Sequence, residues 1–158
     1  MEKAKEYLSV PEDEAEAVSR LTVPARPPGN YPSYYESFTL RGLIVDRVER
    51  GLIVCTFTVP SRLADHSGNL ATGAIANLVD EIGYAVLHVE GVPICVSVNM
   101  SISYLSTAKA GDKLEITSKV LGQRGAYSGT MVLLRNKESG EIIAEGRHSL
   151  FSPHASKL

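Results

Sequence analysis

The stretch GAIANLVDEIGYAVLHV, residues 73–89, decides the fold. Ile75, Leu78, Val79, Ile82, Ala85, Val86 and Leu87 give it apolar surface on nearly every side, and a helix of that kind is buried inside its domain. Asn77, Asp80, Glu81, Tyr84 and His88 recur at intervals of three and four, so its polar residues share one stripe.

The sequence on either side is strand-like. Residues 96–104, VSVNMSISY, alternate without a break. Val96, Val98, Met100, Ile102 and Tyr104 are expected on one face, and Ser97, Asn99, Ser101 and Ser103 on the other. Phe38–Val48 and Leu52–Val59 read as a hairpin joined at Glu49-Arg50-Gly51, the second strand ending at Pro60. After the helix come Lys113–Val120, a turn at Gly122–Gly125, Tyr127–Asn136, a turn at Ser139-Gly140, and Glu141–Phe151. The order is two strands, one long buried helix, then four strands. Strands and helices do not alternate after the helix, which excludes a parallel βαβ sheet. An α+β fold is expected, with a mostly antiparallel sheet curled around the helix at about 73–89.

The chain has 158 residues, enough for one domain rather than two. Its net charge of -2 gives no sign of a nucleic-acid binder, and it has no apolar run long enough to span a membrane. Residues 1–32 stand apart. They hold Pro11, Pro24, Pro27, Pro28 and Pro32, five of the eight prolines, and are expected to form a partly ordered arm. Within it Glu12–Leu21 is a short helix candidate begun by Pro11. The acidic start, without an apolar core, argues against a secretory or organelle leader. Residues 33–152 are the expected domain and 153–158 a tail. Cys55 and Cys95 lie in apolar runs and read as buried free thiols in a reducing compartment. No His/Cys cluster has metal-ligand spacing, and no metal or cofactor is expected.

The order of elements resembles the hotdog fold. The local sequences resemble the branch that holds 4-hydroxybenzoyl-CoA thioesterases, phenylacetate-pathway thioesterases and thioesterase superfamily members. Three segments between Phe38 and Phe151 carry the resemblance. They are Asn69–Gly73 leading into Leu78-Val79-Asp80, Val96–Leu105 followed by Ala108–Asp112, and Ile143–His148. At one turn the chain departs from the pattern: the family usually shows His-Gly-Gly, and here stands Ala71-Thr72-Gly73.

The resemblance implies an acyl-CoA thioesterase that works as a homodimer or homotetramer, with the active site between subunits. Thioester hydrolysis needs an activated water or an attacking carboxylate, together with donors aimed at the developing oxyanion. On periodicity alone Asp80 is a carboxylate solvated on the helix's polar stripe. The family resemblance makes it the general base or nucleophile, with the backbone at Thr72 and Gly73 polarising the thioester carbonyl. By the same alignment Asp65 positions the water or the thioester and Ser97 hydrogen-bonds the water. Glu81 is the alternative base, and the Thr72 hydroxyl a further donor. His66 and His148 read as structural or solvated. The phosphates of coenzyme A need cations, for which Arg124, Lys109 and Arg147 are the candidates, although charged residues in such turns are usually just solvated.

A non-catalytic hotdog that binds an acyl thioester or acts as a scaffold is the second reading, because of the altered turn. A hydratase or dehydratase would show Asp-x4-Asn-Pro-x-His. Here three residues separate Asp65 from Asn69, and neither proline nor histidine follows. The last three residues, Ser156-Lys157-Leu158, spell the tripeptide that an import receptor reads as a peroxisomal address. The expected location is therefore the peroxisome, or the cytoplasm if the source is not a eukaryote.

Overall fold

The computed structural model describes residues 2–22, 27, 33–89, 91–92 and 95–152. The chain divides into two compact units, residues 1–34 and 35–158. The first holds helices α1 (Glu2–Leu8) and α2 (Glu12–Ser19), neither with a buried residue. Pro11 is the N-cap of α2, as expected from its position. Much of the proline-rich stretch 24–32, and all of the tail 153–158, lie outside the described residues.

The second unit is an α+β fold. A six-stranded antiparallel sheet, ordered β1-β2-β4-β5-β6-β3, curves around α4 (Thr72–Val89). The strands are β1 (Leu43–Glu49), β2 (Leu52–Thr58), β3 (Val96–Tyr104), β4 (Lys113–Arg124), β5 (Tyr127–Asn136) and β6 (Ile142–Phe151). Ile75, Leu78, Val79, Ile82, Val86 and Leu87 of α4 are buried. Most of them meet Cys55 and Phe57 of β2, Leu114 and Ile116 of β4, Val132 and Leu134 of β5, and Ile143 and Ala144 of β6. Burying each of the larger of these side chains stabilises the fold by about 1.5–3 kcal/mol.

Helix and sheet approach closely at Gly146, where an added Cβ would lie 2.5 Å from Val79 Cγ1. No side chain fits at that position without displacing Val79.

Three expectations are corrected. Phe38–Leu40, read as the start of a strand, belongs to helix α3 (Tyr34–Leu40), and β1 begins only at Leu43. Gly42, at φ +97°, lets the chain turn between them. Arg62 holds the end of α3: its Nε donates to Phe38 O at 2.7 Å, its Nη2 donates to Arg41 O, and its guanidinium lies 5.8 Å from the Phe38 ring centre. That clamp reaches across 24 positions, so no local propensity could reveal it. Second, β4 runs on to Arg124 and the turn is Gly125-Ala126. Third, β3 does not keep its alternation. It bulges between Ser97 and Asn99.

Among the described residues no helix is long and apolar enough to cross a membrane, and no group of three or more His, Cys, Asp or Glu could hold a metal ion.

Candidate active site

The bulge in β3 changes what Ser97 can do. Directly opposed residues of antiparallel strands share a face. Ser97 pairs with Leu150, and past the bulge Met100 pairs with His148 and Ile102 with Gly146. Gly146, His148 and Leu150 all face α4, so Ser97 shares that face with Met100, Ile102 and Tyr104. Perfect alternation would have put it on the other side. A bulge's extra residue re-aims the side chains beyond it, and here it turns Ser97 toward the helix.

Asp80 receives it. Ser97 Oγ–H donates to Asp80 Oδ1 at 2.8 Å. His148 Nε2 comes to 3.3 Å from the same oxygen, from a side chain fully shielded from solvent, whereas that of Asp80 is 35 % exposed. The ring N–H is not aligned with Oδ1, so this is proximity rather than a formed hydrogen bond. Burial holds the His148 pKa below the usual histidine value and outweighs the opposing pull of Asp80, so the ring is neutral at neutral pH. Asp80 Oδ2 has no hydrogen-bond partner among the described residues. The carboxylate thus has one oxygen held and the other open, as an acceptor for a water's proton must be.

Glu81, next along the helix, sits differently. Its pKa is pushed up to about 7, first by burial, then by Glu36 of α3 and by Asp80. No donor to its carboxylate is seen among the described residues, whereas Asp80 has Ser97.

The start of α4 supplies donors. The first bond into the helix runs from Ile75 N–H to Ala71 O at 3.0 Å. The N–H groups of Thr72, Gly73 and Ala74 precede it and have no carbonyl one turn back. Thr72 and Gly73 are exposed, and an added Cβ at Gly73 would touch nothing within 4 Å. Tyr104 Oη–H donates to Thr72 O at 3.4 Å and ties β3 to this turn. Asp80, however, is seven residues further on, about 10 Å along the axis at 1.5 Å per residue. A hydrogen bond to the oxyanion, the C–O bond and a bridging water must be laid almost end to end to cover that distance, so one chain's Asp80 and its own helix start meet on one thioester only in a fully extended line.

The other expected site residues do not gather around Asp80. Asp65 is exposed and organises its loop: Oδ1 accepts from Ser67 N–H at 2.8 Å and from Asn69 N–H at 3.0 Å. Lys109 bridges to Asn69, in the loop that leads into the helix start. Arg124 ends β4 at the opposite end of the sheet, beside Tyr127. Arg147 lies on the face turned away from α4, where Nε donates to Glu145 Oε1 at 3.3 Å. The three cations therefore do not converge within one chain. His66 is exposed.

The residue the sequence undervalued is His148. Its signal was present but weak: Ala144, Gly146, His148 and Leu150 alternate inward on β6, and Gly83 on α4 leaves room above the ring.

Comparison with known proteins agrees with the fold. Residues 67–143 match the family model described as thioesterase superfamily. The chain is 40 % identical over 100 residues to human acyl-coenzyme A thioesterase 13, covering 63 % of this chain and 71 % of that protein. Among solved structures, thioesterase superfamily member 2 of zebrafish matches with a TM-score of 0.71 at 33 % identity, over 77 % of this chain and 88 % of that one. The mouse thioesterase superfamily member 2 matches with a TM-score of 0.67 at 32 % identity, over 71 % and 83 %.

Proposed function

The chain belongs to the thioesterase superfamily and is a thioester hydrolase, and from that premise we propose that its substrate is an acyl-CoA, cleaved to the free acid and coenzyme A. Asp80 acts as the general base or the nucleophile. The observation that carries this is the Asp80 carboxylate, half buried on an apolar helix, with Oδ1 held by Ser97 and Oδ2 open. The N–H groups at Thr72 and Gly73 receive the oxyanion, since a helix start is electropositive and rich in free donors.

The separation of these two parts along one helix, about 10 Å, supports a homo-oligomer, either a dimer or a tetramer, as the working enzyme. Asp80 of one copy faces the helix start of another. The exposed edge of β3 supports the same reading. Val96, Val98, Tyr104 and Leu105 are each about half exposed on or just after a nine-residue strand that pairs on one side only. An open apolar edge of this kind is a template for pairing with another chain. Lys109, beside the loop at the helix start, is the cation best placed for a coenzyme A phosphate at that end.

The test is a steady-state assay of the purified protein against a panel of acyl-CoAs, reading released thiol, together with sedimentation. Hydrolysis by an oligomer supports the proposal. A stable monomer that hydrolyses at full rate would refute the shared site. An oligomer that binds acyl-CoA without turnover would favour the non-catalytic binder, in keeping with Ala71-Thr72 standing where the family has His-Gly. We also propose that a chain ending in Ser156-Lys157-Leu158 is taken to peroxisomes by the import receptor. Tagged protein lacking Leu158 should then stay cytosolic, and unchanged distribution would rule the address out.

A further inference from the structure

We propose that His148 is a positioning residue that sets the direction of the Asp80 carboxylate, and that Thr130 sets the tautomer of His148. The inference rests on Asp80 being the reactive carboxylate.

The Asp80 carboxylate can turn about its last torsion, and Ser97 restrains one oxygen from one side only. A second donor on that oxygen fixes the plane of the group and keeps Oδ2 pointed at the water. His148 Nε2 is 3.3 Å from Oδ1, and a small swing of the carboxylate aligns the two. The ring itself cannot swing far, being shielded from solvent between β6 and α4.

For Nε2 to donate, it must carry the proton, which leaves Nδ1 as an acceptor. Thr130 is the register partner of His148 across β5 and β6. Both side chains lie beneath Gly83: a Cβ added there would sit 3.0 Å from His148 Nδ1 and 3.1 Å from Thr130 Oγ1. Both atoms are buried, and neither has a hydrogen-bond partner among the described residues. A small shift that brings Thr130 Oγ1 within reach of Nδ1 lets the hydroxyl donate to it, which satisfies both groups and places the ring proton on Nε2. The chain of donation is then Thr130 to His148 to Asp80, with Ser97 as the second donor. No proton leaves any member. Burial keeps the ring neutral, so it directs the carboxylate without placing a full positive charge beside it. The absence of a side chain at position 83 preserves the space in which this arrangement forms.

One experiment separates this inference from the reading beneath it. Asp80→Asn, His148→Leu, His148→Gln and Thr130→Val are compared with the wild type for kcat, KM and melting temperature against the best acyl-CoA. Asp80→Asn should be nearly dead. His148→Leu should lose about tenfold in kcat, less than the roughly hundredfold lost with a donor that contacts the transition state itself because His148 acts through Asp80, with KM little changed. His148→Gln puts an amide N–H where Nε2 was, and should recover most of that loss. Thr130→Val keeps the volume and removes the hydroxyl, and should lose roughly threefold in kcat, a fraction of the effect of losing the ring itself. Full kcat in a folded His148→Leu overturns the proposal, as do equal losses in His148→Leu and His148→Gln with Thr130→Val unchanged. If His148→Leu does not fold, Thr130→Val and His148→Gln decide, and wild-type kcat in Thr130→Val counts against it. An active Asp80→Asn would instead refute the assignment of Asp80, and this inference with it.

Discussion

The two flanks of α4 treat neighbouring carboxylates in opposite ways. On the flank toward β3 and β6, Asp80 meets a hydroxyl donor from Ser97 and a neutral ring nitrogen from His148. On the flank toward α3, Glu81 meets Glu36, the charge of Asp80 and desolvation, and its pKa rises to about 7. A displaced carboxyl value is the usual marker of a catalytic acid or base, and by that marker alone Glu81 would be chosen. Geometry argues the other way. A base has to be held in one direction with an oxygen open to the water, and of the two carboxylates it is Asp80 that has a donor, Ser97, among the described residues. A raised pKa without donors records an unfavourable place for a charge, whereas donors and an open oxygen record a place where the charge is used.

The largest expected effect is on the Asp80 flank. Asp80→Asn keeps size and shape and removes the charge, and kcat should fall by at least roughly a hundredfold with fold and assembly intact. Ser97→Ala removes one neutral hydrogen bond and should cost about fivefold in kcat, near 1 kcal/mol. Asp65→Asn should be milder than Asp80→Asn as well, because the Asp65 side chain organises its loop through an oxygen that an amide retains. On the other flank, Glu81→Gln should leave kcat within about twofold, since no transition-state contact is lost. A dead Glu81→Gln beside an active Asp80→Asn would invert the comparison.

Glu81 should instead be visible in stability. Its folded pKa, about 7, lies above the ordinary 4.5, so the folded state holds a proton that the unfolded state has already released. Stability therefore falls as pH rises from 4.5 through about 7 and stays low above that. Glu81→Gln should melt higher than the wild type at pH about 8, by something on the order of 1 kcal/mol once solvent screening of a half-buried group is allowed for. The difference should vanish near pH 4.5; an equal gain at both ends would mean that charge is not the cause. His148 acts with the opposite sign. Its folded pKa is held below the ordinary 6.5, so acidification below that value destabilises the protein, and His148→Gln should flatten this limb of a melting-temperature profile.

How much of this was readable in the sequence depended on whether the cause was local. The apolar surround of residues 73–89 is local, and it located α4 to within one residue at its start. The hairpins followed from Gly51 and Gly140, and Asp80 followed from the polar stripe once the family resemblance was added. Residues 38–40 were misjudged because β-branched and aromatic side chains suit a strand, while the helix there is held by Arg62 from a distant turn. Ser97 was expected on the wrong face because perfect alternation conceals a bulge, which only pairing with β6 reveals. His148 was passed over because a histidine in a strand is not informative until the residue above it, Gly83, is known.

The shared site between two copies is tested most directly by complementation. Asp80→Asn lacks the base. Thr72→Pro lacks one oxyanion donor, and proline is well tolerated at the first helical position. Each variant alone should be nearly inactive. Mixed in equal amounts under conditions that exchange subunits, half the dimers are hybrids, and in each hybrid one site receives Asp80 from one copy and an intact helix start from the other. Activity should return to about a quarter of the wild-type value. A mixture no more active than the sum of its two parts would contradict the shared site.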